Sequence, residues 1–268
     1  MKEAVIRGID ISKSFDSGNC LVLDNVNFEI RESECVGFVG ESGCGKSTLA
    51  RIMTHLVKPS GGKMIYRDRD VTTLSRGQKR TYYKSVQMIF QDPLSTFSPK
   101  MTIKAYLMEP YINFKLARKE EALNQIVNML ESVKLPIDYL GKYPHELSGG
   151  ELQRVVIARA VGMCPELIIC DEATSALDVT IQKQIVNLLK TLQREKGFAM
   201  MFITHDLALA EQMCHRTYVM RDGQILEELV TDNLLTEAKH DYTKLFFEAG
   251  NLLGSKVAER VYLNDLTA

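Results

Sequence analysis

Hydrophobic and polar residues alternate in two early stretches of the chain and then give way to short apolar runs. Residues 4–11 and 21–30 alternate apolar with polar positions, which predicts two half-buried strands that pair antiparallel. The apolar runs CVGFV (35–39), LIIC (167–170) and AMMFI (199–203) are each followed by a helical pattern. This alternation of apolar strand and helix predicts a parallel sheet.

The remaining elements follow from the same patterns. MIYRD and VQMIF favour two further strands. From about residue 93 to residue 163 the pattern is helical, and ARKEEALNQIVNMLESVKL is the clearest amphipathic stretch. A strand pair is predicted around Asp222 and Gly223, which form a hairpin signal, and a helical C-terminal segment follows.

Composition narrows the class of protein. The chain has 268 residues, 45% apolar and 25% charged, and a formal net charge of −1, which is typical of one large soluble domain or two closely joined ones. Without a basic excess, no nucleic-acid partner is expected, and the run RDRDVTTLSRGQKR is interpreted as a solvated surface. Six scattered cysteines without a C-x-x-C pair favour reduced thiols. No signal-peptide pattern or membrane-spanning apolar run is found, so we expect that the chain does not cross a membrane by itself.

The segment GESGCGKST, residues 40–48, carries the strongest chemical signal. It matches G-x-x-x-x-G-K-S/T and lies between a predicted strand and a predicted helix, which is the setting of a phosphate-binding P-loop. Backbone N–H groups of such a loop face the phosphates, Lys46 adds positive charge, and the Ser47 hydroxyl can bind Mg²⁺. The predicted phosphate-binding residues are Gly40, Glu41, Ser42, Gly43, Cys44, Gly45, Lys46, Ser47 and Thr48.

Polar side chains follow three of the predicted strands. Asp171, after LIIC, is placed to hold Mg²⁺, and Glu172 is placed to orient an attacking water as a base. In isolation, the commoner explanation of Asp171 and Glu172 would be helix-capping acids, and that of His205 a histidine before a helix that Asp206 caps. Because parallel strands end at the edge where the P-loop opens, we expect Gln91 and His205 to reach the terminal phosphate and its metal. The predicted metal ligands are Ser47, Gln91 and Asp171.

Residues 145–154, HELSGGELQR, combine a helix start with two glycines. Ser148 and Glu151 fit the S-x-x-E capping box. Gly149 and Gly150 lie in the first turn, where each glycine costs about 1 kcal/mol relative to alanine. Bare N–H groups at a helix start bind anions, so this segment indicates an anion site besides the P-loop.

Together these motifs resemble the ATP-binding subunit of an ABC transporter, from about residue 4 to residue 238. GESGCGKST resembles the Walker A motif, LIICDE the Walker B motif and IFQDP the Q-loop. LSGGE (147–151), called here the signature segment, resembles the family signature, with Glu151 where Gln is commonest. SALD (175–178) resembles the D-loop, and His205 the switch histidine.

The resemblance implies an α/β fold: a RecA-like P-loop NTPase parallel sheet with an antiparallel β subdomain and an inserted helical signature subdomain. The implied domains are residues 1–92 and 164–238 for the ATP-binding core with its antiparallel layer, 93–163 for the helical signature subdomain, and 239–268 for a helical C-terminal tail.

The resemblance also implies ATP and Mg²⁺ as ligands, and residue roles. Glu172, His205 and Gln91 would be catalytic. In this family two ATPase subunits face head to tail, and each signature segment closes on ATP held by the other subunit. The implied nucleotide contacts of the signature segment and D-loop are Ser148, Gly149, Gly150, Glu151 and Asp178. Phe15 would stack on adenine, with a core position as the alternative.

A narrower resemblance indicates the importers of peptides or nickel. IFQDPLSTFSPKMTI, ELSGGELQRVVIARAV and HDYTKLFFEAG look like this branch, with Ser98 and Asp241 in place of its usual Asn and Pro. No cysteine follows Cys214, so no iron–sulfur site is expected. GCGKSTLAR, with Cys44, looks like the second of the two unlike ATPases that such importers use.

This narrower resemblance implies an ATP-hydrolysing subunit at the cytoplasmic face of the membrane. Its implied partners are a second ATPase subunit, non-identical or a second copy, two transmembrane permease subunits and, indirectly, an extracytoplasmic solute-binding protein. Peptide and nickel stay open as substrates. The alternatives are an exporter ATPase and a soluble ABC ATPase that acts on nucleic acid or ribosomes.

Overall fold

The structure, a computed structural model, describes residues 2–16, 20–231 and 234–249, with residues 235 and 236 described without side chains. The strands in these ranges are β1 (Ala4–Phe15), β2 (Cys20–Arg31), β3 (Cys35–Val39), β4 (Gly61–Tyr66), β5 (Arg69–Asp70), β6 (Val86–Ile89), β7 (Leu167–Asp171), β8 (Ala199–Ile203), β9 (Arg216–Arg221) and β10 (Gln224–Val230). The helices are α1 (Lys46–Met53), α2 (Arg76–Ser85), α3 (Ile103–Phe114), α4 (Lys119–Ser132), α5 (Gly149–Gly162), α6 (Val179–Lys196), α7 (Leu207–Met213), α8 (Leu234–Glu237) and α9 (241–249).

The main sheet has six strands in the order β10-β9-β3-β8-β7-β6. All its neighbours pair in parallel except β9 and β10, which form the antiparallel hairpin predicted around Asp222 and Gly223. Every residue of β3, β7 and β8 is buried, because other elements cover both faces of these strands. The predicted parallel sheet is therefore confirmed.

A second sheet has the order β2-β1-β4-β5, and its pairs are antiparallel. The predicted pairing of the first two strands is confirmed, although both are longer than their alternating stretches. The strand predicted over MIYRD is wrong at its end, because Arg67 and Asp68 adopt positive φ angles of 45° and 59°. These two residues turn the chain from β4 into β5.

The chain between β6 and β7 is helical, as predicted, and contains α3, α4 and α5. The pattern did not predict α2, because only Tyr82 of that helix is buried. Its start is a capping box formed by Ser75 and Gln78. Arg67, in the run interpreted as a solvated surface, instead pairs with Glu166 at 2.6 Å. No helix in the described ranges is long and apolar enough to cross a bilayer.

Two apolar clusters lie on opposite faces of the main sheet. Along β7, Ile168 and Cys170 belong to a cluster with the helices α3–α7, whereas Leu167 and Ile169 belong to a cluster with β1, β2 and α1. This alternation follows from the two-residue period of a strand. A sheet held on both faces keeps the carboxyl ends of its strands fixed. None of the six cysteines, all in described ranges, forms a disulfide.

Candidate active site

The P-loop joins β3 to α1, and its lysine is turned into the loop. Gly45, before the first residue of α1, has a φ of 107°, and a Cβ there would lie 2.6 Å from Cδ2 of Leu23. This position therefore requires glycine. Lys46 is 4% exposed, and its ammonium donates to the carbonyl oxygens of Gly40 (2.8 Å) and Glu41 (2.7 Å). In binding a nucleotide, the ammonium would exchange these carbonyls for phosphate oxygens.

The other P-loop residues differ in exposure. Glu41, Ser42 and Gly43 are exposed, whereas Ser47 and Thr48 are half-buried in the first turn of α1. The Cys44 side chain is buried, with its Sγ 3.4 Å from the Lys46 ammonium. Cys44 can therefore contact a ligand only through its backbone.

Ser47 and Asp171 form a hard oxygen pair at the end of β7. The Ser47 hydroxyl donates to Oδ1 of Asp171 at 2.7 Å. Burial raises the pKa of Asp171, and the Ser47 hydrogen bond and the charge of Arg51 oppose this only in part. In the described part of the chain, Asp171 makes no ion pair. A buried carboxylate beside a hydroxyl fits Mg²⁺, which takes few protein oxygens together with water and phosphate.

Gln91, Glu172 and His205 meet at the carboxyl ends of β6, β7 and β8. Nε2 of Gln91 donates to Oε2 of Glu172 (3.1 Å) and to the hydroxyl of Ser175 (3.2 Å). Nδ1 of His205 lies 3.7 Å from Oε1 of Glu172, beyond hydrogen-bonding distance. The sequence predicted this convergence from the shared strand edge, although it assigned no role to Ser175.

The predicted metal ligands do not all meet. Gln91 contacts Glu172 and Ser175, and neither Ser47 nor Asp171 is among its hydrogen-bond partners in the described ranges. Ser47 and Asp171 alone form the direct pair. Gln91 could join Ser47 and Asp171 only through a ligand bound between Gln91 and this pair.

The backbone of Glu172 turns the chain sharply out of β7. Its φ is 47°, in the left-handed region, where a non-glycine residue costs of order 1–3 kcal/mol. Its N–H donates to the Ile203 carbonyl at 3.2 Å, and its own carbonyl accepts from the N–H (3.1 Å) and hydroxyl (3.0 Å) of Ser175. These three hydrogen bonds hold the strained turn and fix the direction in which the Glu172 side chain leaves the backbone.

The signature segment starts α5 with the predicted capping box. The Ser148 side chain accepts from the N–H of Glu151 (3.4 Å), and Oε2 of Glu151 accepts from the N–H (2.8 Å) and hydroxyl (2.7 Å) of Ser148. Oε1 of Glu151 accepts from the Tyr139 hydroxyl. These bonds, with Tyr139 the strongest, lower the pKa of Glu151. Its carboxylate is therefore turned back onto its own helix start.

The two signature glycines have different surroundings. A Cβ on Gly150 would lie 2.6 Å from Cγ2 of Ile181 on α6, so close helix packing requires this glycine. Close packing on α6 is therefore a second reason for Gly150, besides the predicted anion site, that the sequence did not show. A Cβ on Gly149 would meet only Leu177, at an ordinary 3.5 Å, and Gly149 is exposed. Packing gives no reason for a glycine at position 149.

Asp178 caps a helix, and Phe15 is partly exposed to solvent. Asp178 caps α6, because its side chain accepts from the N–H of Ile181 at 3.0 Å. Phe15 is 40% exposed at the end of β1, which rules out the alternative that it belongs to the core. The Lys13 ammonium lies 4.6 Å from the Phe15 ring centroid. Phe15 is therefore accessible to a planar ligand.

The side chains of Ser148 and Glu151 make their hydrogen bonds near the start of α5, not to the P-loop. Ser148 and Glu151 bond to each other and, through Glu151, to Tyr139. No hydrogen bond or ion pair of the described residues joins Ser148 or Glu151 to residues 40–48. The anion site predicted at Ser148 therefore has no direct bond to this chain's own P-loop.

Comparison with known proteins gives consistent matches. Residues 23–175 match the family model described as ABC transporter. A putative peptide import ATP-binding protein of Brucella ovis is 42% identical over 91% of this chain and 77% of its own length. The putative oligopeptide transport ATP-binding protein YkfD of Bacillus subtilis is 43% identical over 86% and 71%. The nickel import ATP-binding protein NikE of Escherichia coli is 43% identical over 80% of both chains.

Solved structures agree with these matches. The ATP-binding cassette MJ0796, as a dimer in a post-hydrolysis state bound to ADP and Pi, has a TM-score of 0.75 and 29% identity, covering 84% of this chain and 98% of its own. CbiO1 of Clostridium perfringens has a TM-score of 0.80 over 97% of this chain and 100% of its own, and at 23% identity this likeness concerns the fold.

Proposed function

The chain belongs to the ABC transporter family, and we propose that it is the ATP-hydrolysing subunit of an importer that takes up peptides or nickel through separate permease subunits. As an ABC-type ATPase, it binds ATP and splits it into ADP and phosphate. The observation that supports the hydrolytic role best is the convergence of Gln91, Glu172 and His205 beside the Ser47–Asp171 pair.

In the proposed site, each group acts on a different part of the reaction. Lys46 leaves its loop carbonyls and neutralises the outer phosphates. Ser47 and Asp171 would hold Mg²⁺, which when bound supplies positive charge that stabilises the transferring phosphoryl group. Glu172 orients the attacking water and takes its proton.

Two neighbours would prepare Glu172 for that step. Gln91 donates to Oε2 of Glu172, which fixes the orientation of the carboxylate. His205 is 61% exposed and faces Oε1 of Glu172, so it can turn toward the terminal phosphate without leaving a buried pocket. Glu172 is thus held at one oxygen and open at the other.

The signature segment would complete a site on a partner subunit. The exposure of Gly149 supports this arrangement, and so does the absence of any hydrogen bond or ion pair, among the described residues, between Ser148 and residues 40–48. We propose that Ser148, Gly149, Gly150, Glu151 and Asp178 close on nucleotide held by a second ATPase subunit. Phe15 would stack on the adenine of this chain's own nucleotide, which its 40% exposure allows.

The proposed organisation assigns residues 1–92 and 164–238 to the ATP-binding core, 93–163 to the helical signature subdomain and 239–268 to the tail. Of the tail, residues 250–268 lie outside the described residues. We place the subunit at the cytoplasmic face of the membrane, against two permease subunits, with a solute-binding protein as an indirect partner.

Uptake by the native cells tests this function. We would replace the chromosomal copy with Glu172→Gln and measure the uptake of a radiolabelled tripeptide and of ⁶³Ni²⁺. Glu211→Gln, at an exposed position on α7, is the matched control. We expect Glu172→Gln to abolish uptake of one of the two solutes and Glu211→Gln to preserve it. Unchanged uptake of both solutes in Glu172→Gln cells would contradict the proposed function.

A further inference from the structure

The signature segment contains a carboxylate, and three hydrogen-bond donors surround it. Oε2 of Glu151 accepts from the N–H (2.8 Å) and the hydroxyl (2.7 Å) of Ser148. Oε1 of Glu151 accepts from the hydroxyl of Tyr139 at 2.5 Å. Hydrogen bonds to an ionised group are shorter and roughly twice as strong as neutral ones. The bonds from Ser148 belong to the start of α5, whereas a capping box does not account for the bond from Tyr139.

Tyr139 reaches Glu151 from outside α5. It lies in a short 3₁₀ helix, Ile137–Gly141, 12 residues before Glu151 in the chain. The N–H of Lys142 donates to the Tyr139 carbonyl (3.1 Å), and the Lys142 carbonyl accepts from the N–H of Ile103 (2.9 Å), the first residue of α3. The Lys142 ammonium lies 3.6 Å from the centroid of the Tyr139 ring. Backbone bonds and a cation on the ring face therefore hold Tyr139 with its hydroxyl directed at Glu151.

The N–H groups that would receive an anion directly precede this carboxylate. Gly149 and Gly150 are the first two residues of α5, and among the described residues neither N–H takes part in a hydrogen bond. Both are therefore free for an anion, as at other helix starts. The lowered pKa of Glu151 keeps the next side chain ionised. Its negative charge would repel a phosphate bound in this first turn, whereas the glutamine that is commonest in the family signature has no charge.

We propose that Tyr139 is a positioning residue that allows a glutamate to serve in the signature segment. Its hydroxyl proton offsets part of the negative charge, and the bond to Oε1 fixes the carboxylate at Tyr139. Because a tyrosine hydroxyl also accepts hydrogen bonds, it could pair with a glutamine amide, but a neutral amide needs no compensation. The role of Tyr139 therefore depends on the glutamate at position 151. This inference rests on the proposed closure of the signature segment on a partner's nucleotide.

A double-mutant cycle tests this role in the full chain, purified from native cells through an affinity tag together with the subunits that stay bound to it. Phosphate release at increasing ATP concentration gives kcat/KM. Tyr139→Phe keeps the ring and removes the hydroxyl. We expect this variant to lower kcat/KM for ATP by about 3- to 10-fold, which corresponds to one net hydrogen bond. In a Glu151→Gln background, Tyr139→Phe should leave kcat/KM unchanged, because no charge is left to compensate.

Tyr111→Phe is the matched control. The Tyr111 hydroxyl donates to the carbonyl of Gly162 (3.2 Å) at the other end of α5, so this variant also removes one tyrosine hydrogen bond to that helix. It should lower the Tm and leave kcat/KM unchanged in both backgrounds. Equal kcat/KM in Tyr139→Phe and the parent, or an equal fall in the parent and Glu151→Gln backgrounds, would overturn the inference. If the parent itself hydrolyses no ATP, the proposed function fails instead.

Discussion

Replacing Ser148 with Asp would place a carboxylate at the start of α5, where we propose that a partner's γ-phosphate binds. Asp caps helices as well as Ser does. In this chain, however, Oε2 of Glu151 lies 2.7 Å from the Ser148 hydroxyl, so the new Asp would face a second carboxylate. The informative perturbation is therefore Ser148→Asp combined with Glu151→Gln, because the Gln amide can donate to the Asp and preserve the cap.

The free energy that the new Asp costs differs between a helix cap and a nucleotide site. Two unit charges 4 Å apart interact by about 1 kcal/mol in water and about 4 kcal/mol at the effective dielectric of a protein surface. Ser148→Asp alone should thus cost between about 1 and 4 kcal/mol of unfolding free energy, since Glu151 is half-buried, and the double variant close to none. Against a γ-phosphate in a closed interface, the same Asp should cost about 4 kcal/mol, or roughly 10³-fold in pairing.

Sedimentation velocity with ATP measures the pairing, in a Glu172→Gln background that retains ATP. The native partner subunit is added if pairing is heteromeric, and Glu151→Gln alone is the control. We expect the double variant to keep its Tm and its single-subunit ATP affinity and to lose ATP-driven pairing. Undiminished pairing would mean that the signature segment only caps α5 and packs on α6.

Three further variants test single contacts. Lys46→Ala should weaken ATP binding, because the ammonium supplies charge at the outer phosphates; equal affinity by calorimetry would contradict the P-loop assignment. Asp171→Asn should raise the nucleotide-free Tm. The pKa of Asp171 is raised in the folded protein, so the contribution of this carboxyl group to stability is lost as pH rises through the folded pKa. A scan of Tm against pH should therefore show the largest gain of the variant above that pKa. Tyr139→Phe should raise the pKa of Glu151, because Tyr139 is the main cause of its lowering, and an unchanged carboxyl titration by NMR would refute this.

The elements that the sequence predicted best are buried on both faces. CVGFV, LIIC and AMMFI match β3, β7 and β8 almost residue for residue, because a strand enclosed by other elements can contain little besides apolar residues. The helix α2 shows the opposite case. It buries only Tyr82, so its apolar periodicity is too weak to detect, and its start is marked only by the Ser75–Gln78 capping box, which the sequence analysis did not include.

The site was predictable where its residues share a motif or a strand edge. The convergence of Gln91, Glu172 and His205 followed from the parallel sheet alone. Contacts between distant segments were not predictable, because no local pattern encodes them. The packing of Gly150 on Ile181 and the contact of the Arg221 guanidinium with the Tyr242 ring both depend on the relative placement of elements.

The rate of ATP hydrolysis by Glu172→Gln, with Glu211→Gln as the control, shows whether Glu172 is the base that activates water. We expect Glu172→Gln to bind ATP like the parent and its turnover to fall by about 10²- to 10⁴-fold, as for a lost general base. The control should keep both properties, because Glu211 is exposed on α7. Near-parental turnover in Glu172→Gln would contradict the claim that the carboxylate held by Gln91 activates the attacking water.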